Sequence, residues 1–156
     1  MKKAFSLTFC LIALTAFVVA QEPKTHIALT GAEVKWGPAP PSLRKGAELA
    51  LISGNPAAAG PFVIRLKVPA GYIIAPHWHP TDEHVTVISG TFALGMGEKI
   101  DKATMKEMPA GSYGMLPAEM RHYAMAKTAS IVQVHGMGPF VLNYVNPADD
   151  PSKASK

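Results

Sequence analysis

Cysteine is nearly absent from this chain: the single one, Cys10, lies inside an apolar segment near the N-terminus. Beyond that segment, disulfides and thiolate ligands are excluded as a source of stability or chemistry. Charge is sparse as well, with 17% Asp, Glu, Lys and Arg and no run of four basic residues. Nucleic acid and anionic membrane surfaces therefore have no basic patch to bind. Long helical stretches are missing too, because 13 Gly and 14 Pro are scattered every few residues and interrupt any extended 3.6-residue period. Only one long apolar run exists, "AFSLTFCLIALTAFVVA" from Ala4 to Ala20.

That run has the form of an export leader. Lys2 and Lys3 precede it, Val18 and Ala20 place small residues where a signal peptidase needs them, and no basic stop-transfer cluster follows. Cys10 follows Phe9 in mid-run, not a small residue at its end, so a lipid anchor is not expected. Residues 1–20 are expected to be a signal peptide cut after Ala20. The mature chain is then periplasmic or secreted, without a membrane anchor. Loss of Lys2 and Lys3 halves the formal charge of +4.

Strand signals fill most of the remainder. In "FVIRLKV", Phe62, Ile64, Leu66 and Val68 alternate with Arg65 and Lys67, the period of a half-buried strand. "HVTVISG", "TFALGMG", "YGML", "HYAMA", "SIVQVHG" and "FVLNYV" follow at short intervals, separated by Gly- or Pro-bearing turns. This pattern predicts an all-β sandwich or barrel, assigned to residues 61–146. Residues 21–60 read as an extended, Pro-rich N-terminal arm with short strands at "EVKW" and "ELALISG". Its apolar residues Val34, Trp36, Leu49 and Leu51 suggest that it wraps the barrel or crosses to a second subunit, giving a homodimer. "EKIDKATMKEM" has the composition of a short exposed helix or a mobile loop, and the polar tail 147–156 is expected to be disordered.

Chemistry concentrates in "PHWHPTDEHVTVISG", Pro76 to Gly90. Strand parity puts His77 and His79 on one side and turns Trp78 away. After the "PTD" turn, Glu83 opens the next strand and can return a carboxylate to the same cavity, while His84 faces away. His122 offers a further imidazole after the Pro117 turn. Three neutral imidazoles and one carboxylate make a divalent transition-metal site, since each donates a lone pair and the carboxylate offsets charge. Taken alone, the H-x-H pair is equally compatible with two solvent-facing rings. Gln133 and His135 share a strand face that either lines the barrel, orienting a substrate or a ligand histidine, or meets water while Val132 and Val134 face the core. Met96, Met115, Met120 and Met125 are expected to fill core gaps, with a methionine-rich copper site as the alternative. His26 is expected only to be solvated.

The spacing of these residues resembles the cupin superfamily. Gly71, five residues, His77, one residue, His79, three residues, Glu83, six residues and Gly90 match its first motif. Gly111, five residues, Pro117 and then His122 match its second motif in part. Glu119 stands where Gly is usual and Ala126 where Asn is frequent, which puts the turn before His122 in doubt. Across roughly Phe62 to Val145, the resemblance implies a small double-stranded β-helix barrel holding one divalent metal (Zn, Cu, Fe, Mn or Ni) through His77, His79, Glu83 and His122. Four ligands leave about two positions of an octahedral ion for a small oxygenated molecule or dioxygen. The implied chemistry is that of a dioxygenase or an isomerase, with no catalytic acid or base named. The alternatives are a non-enzymatic, metal-dependent small-ligand or metal-sensing module, and a purely structural ion.

Export is tested by intact mass. Protein recovered from its native compartment should be soluble and begin at Gln21, with or without cyclisation to pyroglutamate; a mass retaining Met1 to Ala20 contradicts the leader.

Overall fold

The computed structural model describes residues 26–153, so the leader and its cleavage site lie outside the described residues. Eleven strands follow in chain order: β1 (Gly37–Pro38), β2 (Glu48–Gly54), β3 (Gly60–Val68), β4 (Ile73–Trp78), β5 (Glu83–Ser89), β6 (Thr91–Met96), β7 (Lys106–Pro109), β8 (Tyr113–Leu116), β9 (His122–Ala126), β10 (Ser130–Gly138) and β11 (Asn143–Tyr144). They form two antiparallel sheets, ordered β1-β2-β3-β10-β5-β8 and β11-β4-β9-β6-β7. The expected all-β double-stranded β-helix is the observed architecture. Among the described residues no helix is long and apolar enough to cross a membrane.

Period-two patterning explains the register. Val134 of β10 pairs with Ile64 of β3 on one side and Val85 of β5 on the other; Val132 pairs with Leu66 and Val87. All six are buried. Slipping any of these strands by one residue would turn its apolar row to water. The second sheet answers with Ile74, Phe92, Leu94 and Ala124, and these two inner faces make one continuous core. Each large side chain buried there contributes roughly 1.5–3 kcal/mol.

The opposite parity forms the outer face. Its rows run Val63–His135–His84–Met115 and Arg65–Gln133–Thr86–Tyr113 across four strands. Gln133 and His135 are therefore not in the barrel lumen. The Arg65 Nε donates to Gln133 Oε1 (3.1 Å), and His135 stacks on His84 with ring centroids 4.8 Å apart. Core demand for Val132 and Val134 decides this against the pocket expectation.

The arm takes the first of its two expected courses, and two further expectations are corrected. The arm is largely built into its own barrel: β2 pairs with β3, Ala39, Leu43 and Leu49 pack on the core, and Val34 is buried. Lys67 covers the Trp36 ring at 4.7 Å, and of Val34, Trp36, Leu49 and Leu51 the last is the one in solvent (55% exposed), with Ile27 and Leu29 exposed nearer the start of the arm. The prolines remove donors, but Tyr72 and Tyr144 hydroxyls donate to the carbonyls of Arg44 and Ser42, both at 2.7 Å. "EKIDKATMKEM" forms turns followed by β7, because Phe92 and Leu94 require Met108 to complete the edge of the sheet. In the tail, Pro147–Asp149 and Pro151–Lys153 form short 3-10 turns where disorder was expected. Asn146 and Asp150 side chains satisfy the backbone N–H groups of Ala148 and Ser152 there. Methionines also depart from expectation: Met96, Met115 and Met120 are exposed, whereas Met108 is buried.

Glu119 takes φ of +64°, so the chain keeps a glycine-type turn although it lacks the glycine. Its N–H donates to the His79 carbonyl (2.8 Å), and its carbonyl accepts from Arg121 Nη1 (2.7 Å). A left-handed residue with a side chain costs about 1–2 kcal/mol, partly offset because glycine loses more freedom on folding. Glu119→Gly should accordingly raise the unfolding free energy by up to about 1 kcal/mol, read as a higher denaturant midpoint at unchanged m. A lower midpoint contradicts this account of the turn.

Candidate metal centre

Four side chains converge at one end of the barrel interior. His77 is the last residue but one of β4, His122 begins β9 directly opposite it, Glu83 begins β5, and His79 lies in the β4–β5 turn. Two loop-to-loop bonds hold the motifs in place: Glu119 N–H to the His79 carbonyl, and Ala118 N–H to Asp82 Oδ1 (both 2.8 Å). All four residues are buried, and their donor atoms lie within 4.8 Å of one another. Metal–nitrogen and metal–oxygen bonds of about 2.0–2.2 Å place opposite donors about 4 Å apart. A sub-ångström contraction brings the cluster to that size.

The tautomers are fixed by the backbone. Nδ1 of His77 lies 2.8 Å from the Ala75 carbonyl, Nδ1 of His79 2.8 Å from Val141, and Nδ1 of His122 3.0 Å from Met120. A carbonyl can only accept, so each Nδ1 carries the proton and each Nε2 presents a lone pair. Those Nε2 lone pairs face a carboxylate: Glu83 Oε2 is 3.1 Å from His122 Nε2 and 3.6 Å from His79 Nε2. At such distances an ion pair would require protonated rings, yet the Nδ1 bonds leave both nitrogens without a proton or partner. Buried lone pairs turned on a carboxylate are costly unless a cation lies between them. The donor set fits a divalent transition metal.

Burial, then repulsion from His122 and His79, pushes the His77 imidazole down to about 3. Burial likewise lowers His79, against the pull of Glu83. Burial alone would raise Glu83, but the imidazoles packed around it, His122 foremost, outweigh it and hold the carboxyl below its ordinary value. His77 and His79 therefore stay neutral and the carboxylate charged, which is the state that binds metal.

The contacts of residues 138–145 with the ligand histidines were not anticipated from sequence. Phe140 stacks flat on His79 (4.0 Å, 17°), Val141 supplies its carbonyl, and Tyr144 pairs with His77. Their signal was only "FVLNYV", an apolar strand like the others. His84 faces outward as parity requires, sharing a 2.6 Å hydrogen bond with the Tyr113 hydroxyl. His26 is exposed.

A family model described as the ChrR cupin-like domain matches residues 24–141. The chain belongs to this cupin family. Solved cupin structures share its fold. The polyketide cyclase RemF from Streptomyces resistomycificus has 16% identity over 82% of this chain and 91% of its own, with a TM-score of 0.66. A proposed acetylacetone dioxygenase from Methylibium petroleiphilum has 23% identity over 85% and 90%, with a TM-score of 0.65. The acetylacetone dioxygenase from Acinetobacter johnsonii has 19% identity over 92% and 87%, with a TM-score of 0.62. No functionally curated protein matches the chain.

Alanine at His77, His79, Glu83 or His122 should weaken metal binding by more than the about 10–100-fold that outer partners of a ligand are worth; His84→Ala should leave metal content unchanged. Loss of metal in His84→Ala but not in Glu83→Ala would reverse the assignment. Acid should also unfold the metal-free protein. His77 protonates near 6.5 when unfolded but near 3 when folded, so the unfolded chain binds the extra proton and stability falls as pH drops between these values. Glu83, lowered from 4.5, adds stability that is lost as pH falls through its folded value. A denaturant midpoint that is flat from pH 6.5 to 3 contradicts these shifts.

Proposed function

We propose that this cupin is an exported metalloenzyme that cleaves a small, metal-chelating oxygenated molecule with dioxygen. The observation that carries this reading is the composition of the cavity against which His77, Glu83 and His122 sit. Its other walls are Leu66, Ile74, Val85, Phe92, Leu94, Ala124, Val132 and Val134. No acid or base lines it apart from the ligands. Isomerisation by proton transfer needs a positioned base, which this wall does not supply, so oxygen-dependent cleavage is favoured over the isomerase alternative.

A metal bound here would supply Lewis-acid or one-electron chemistry and a surface for two oxygen donors. The chain's own part is definable. His77, His79 and His122 present lone pairs in fixed tautomers, Glu83 supplies one negative charge, and Phe140 holds the His79 ring in plane. The aliphatic walls exclude water and favour an apolar substrate body. The acetylacetone dioxygenases among the structural neighbours support the choice of a diketone-type head group. After export through an unfolded state, the affinity order for a nitrogen and oxygen site favours zinc or copper over iron and manganese.

Protein loaded separately with iron, manganese, copper, nickel or zinc should be supplied with acetylacetone and with catechol in an oxygen electrode. Oxygen uptake that tracks one metal, and is lost in His122→Ala, is expected. If every metal form is inert yet a thermal shift reports binding, the protein is a metal-dependent binding module instead.

A further inference from the structure

The metal cavity is small, about 40 Å³, whereas sites for small organic ligands typically span about 300–1,000 Å³. A substrate that meets the metal must extend elsewhere. A second cavity of about 420 Å³ lies between β7 and β8, walled mainly by Met96, Met108, Tyr113, Gly114 and Met115, with Thr104 and Lys106 on its β7 side. It falls where the barrel is laterally open: β7 and β8 are consecutive strands, yet each is the edge of a different sheet and they do not pair. Leu94 is common to the linings of both cavities. Three other surface pockets of similar size share no lining residue with the metal cavity.

Register brings the two compartments still closer. Met96 is the cross-strand partner of His122, and Leu116, at the back of the second cavity, is the partner of Glu83. The β6 and β8 walls of the lateral cavity are thus each one cross-strand position from a ligand. Met96 and Met115 stay about half exposed (54% and 48%), although nothing in barrel closure needs a thioether there. Unbranched methionines reshape around apolar groups of varied form.

We propose that the β7–β8 gap is the portal and tail pocket of the metal site, that it takes an apolar alkyl group attached to an oxygenated head, and that Leu94 is the partition that sets how long that group can be. This rests on the reading of the metal centre as a small-molecule site, but not on turnover. Leu94 is a specificity-determining residue, and Met96 and Met115 form the rim.

Zinc-loaded protein should be titrated calorimetrically with acetylacetone and with its homologue carrying a butyl extension. Leu94→Ala should raise the preference for the longer diketone over acetylacetone by at least about tenfold, the order expected for added apolar contacts. Met115→Trp, at an exposed position that does not threaten folding, should weaken the longer diketone and leave metal content intact. In metal-free protein, hexanol, which cannot chelate, should shift the amide resonances of Met96, Met108 and Gly114. Absence of those shifts overturns the portal whatever the diketones do, as does unchanged length preference in Met115→Trp. Absent oxygen uptake with these shifts present would remove the proposed reaction and keep the portal.

Discussion

Three imidazole lone pairs and one carboxylate, held against each other inside an apolar barrel, are the constraint around which the rest is arranged. The three Nδ1–H groups are committed to the carbonyls of Ala75, Val141 and Met120, so the rings cannot relieve the conflict by exchanging tautomers. Depressed proton affinity in His77 and His79 prevents relief by protonation near neutral pH. A cation is the remaining solution, and its binding free energy adds to folding by mass action. Because no cysteine follows Cys10, this ion would take the place that disulfides hold in many small domains.

Holding those rings requires contacts from across the chain. The two motifs are separated in sequence but share a hydrogen-bond register: His77 lies opposite His122, and Glu119 reaches the carbonyl of His79. The segment after β10 returns over the ligands, with Phe140 against His79 and Tyr144 beside His77. The Tyr144 hydroxyl then reaches the arm at Ser42. Arm, barrel and C-terminal turn region are therefore coupled through the metal end, which explains why the arm lies on its own barrel.

Strand parity accounts for both the successes and one clear failure of sequence reasoning. It separates Glu83 from His84 because Val85 and Val87 mark the buried phase of β5. The same rule, applied to β10, sets Val132 and Val134 inward and Gln133 and His135 outward. Polar residues near a histidine motif are tempting as parts of a site, yet the apolar phase of the strand decides. Met96, Met115 and Met120 fail differently: apolar character implies burial only where a second layer covers the position, and β8 ends its sheet.

The sequence by itself determined the all-β class, the core phase of each long strand and the four converging donors, because alternation and fixed ligand spacing are local properties. It also specified the glycine turns at Gly71, Gly90 and Gly111, but not the left-handed turn at Glu119, where geometry prevailed over residue type. Only tertiary structure decided which backbone carbonyls fix the imidazole tautomers, since Val141 meets His79 from 62 residues away. It alone placed the arm on its own barrel, left the β7–β8 side open and made Leu94 common to two cavities. These follow from how strand edges meet in space, and a one-dimensional hydrophobic pattern records which residues are buried but not which edges remain unpaired.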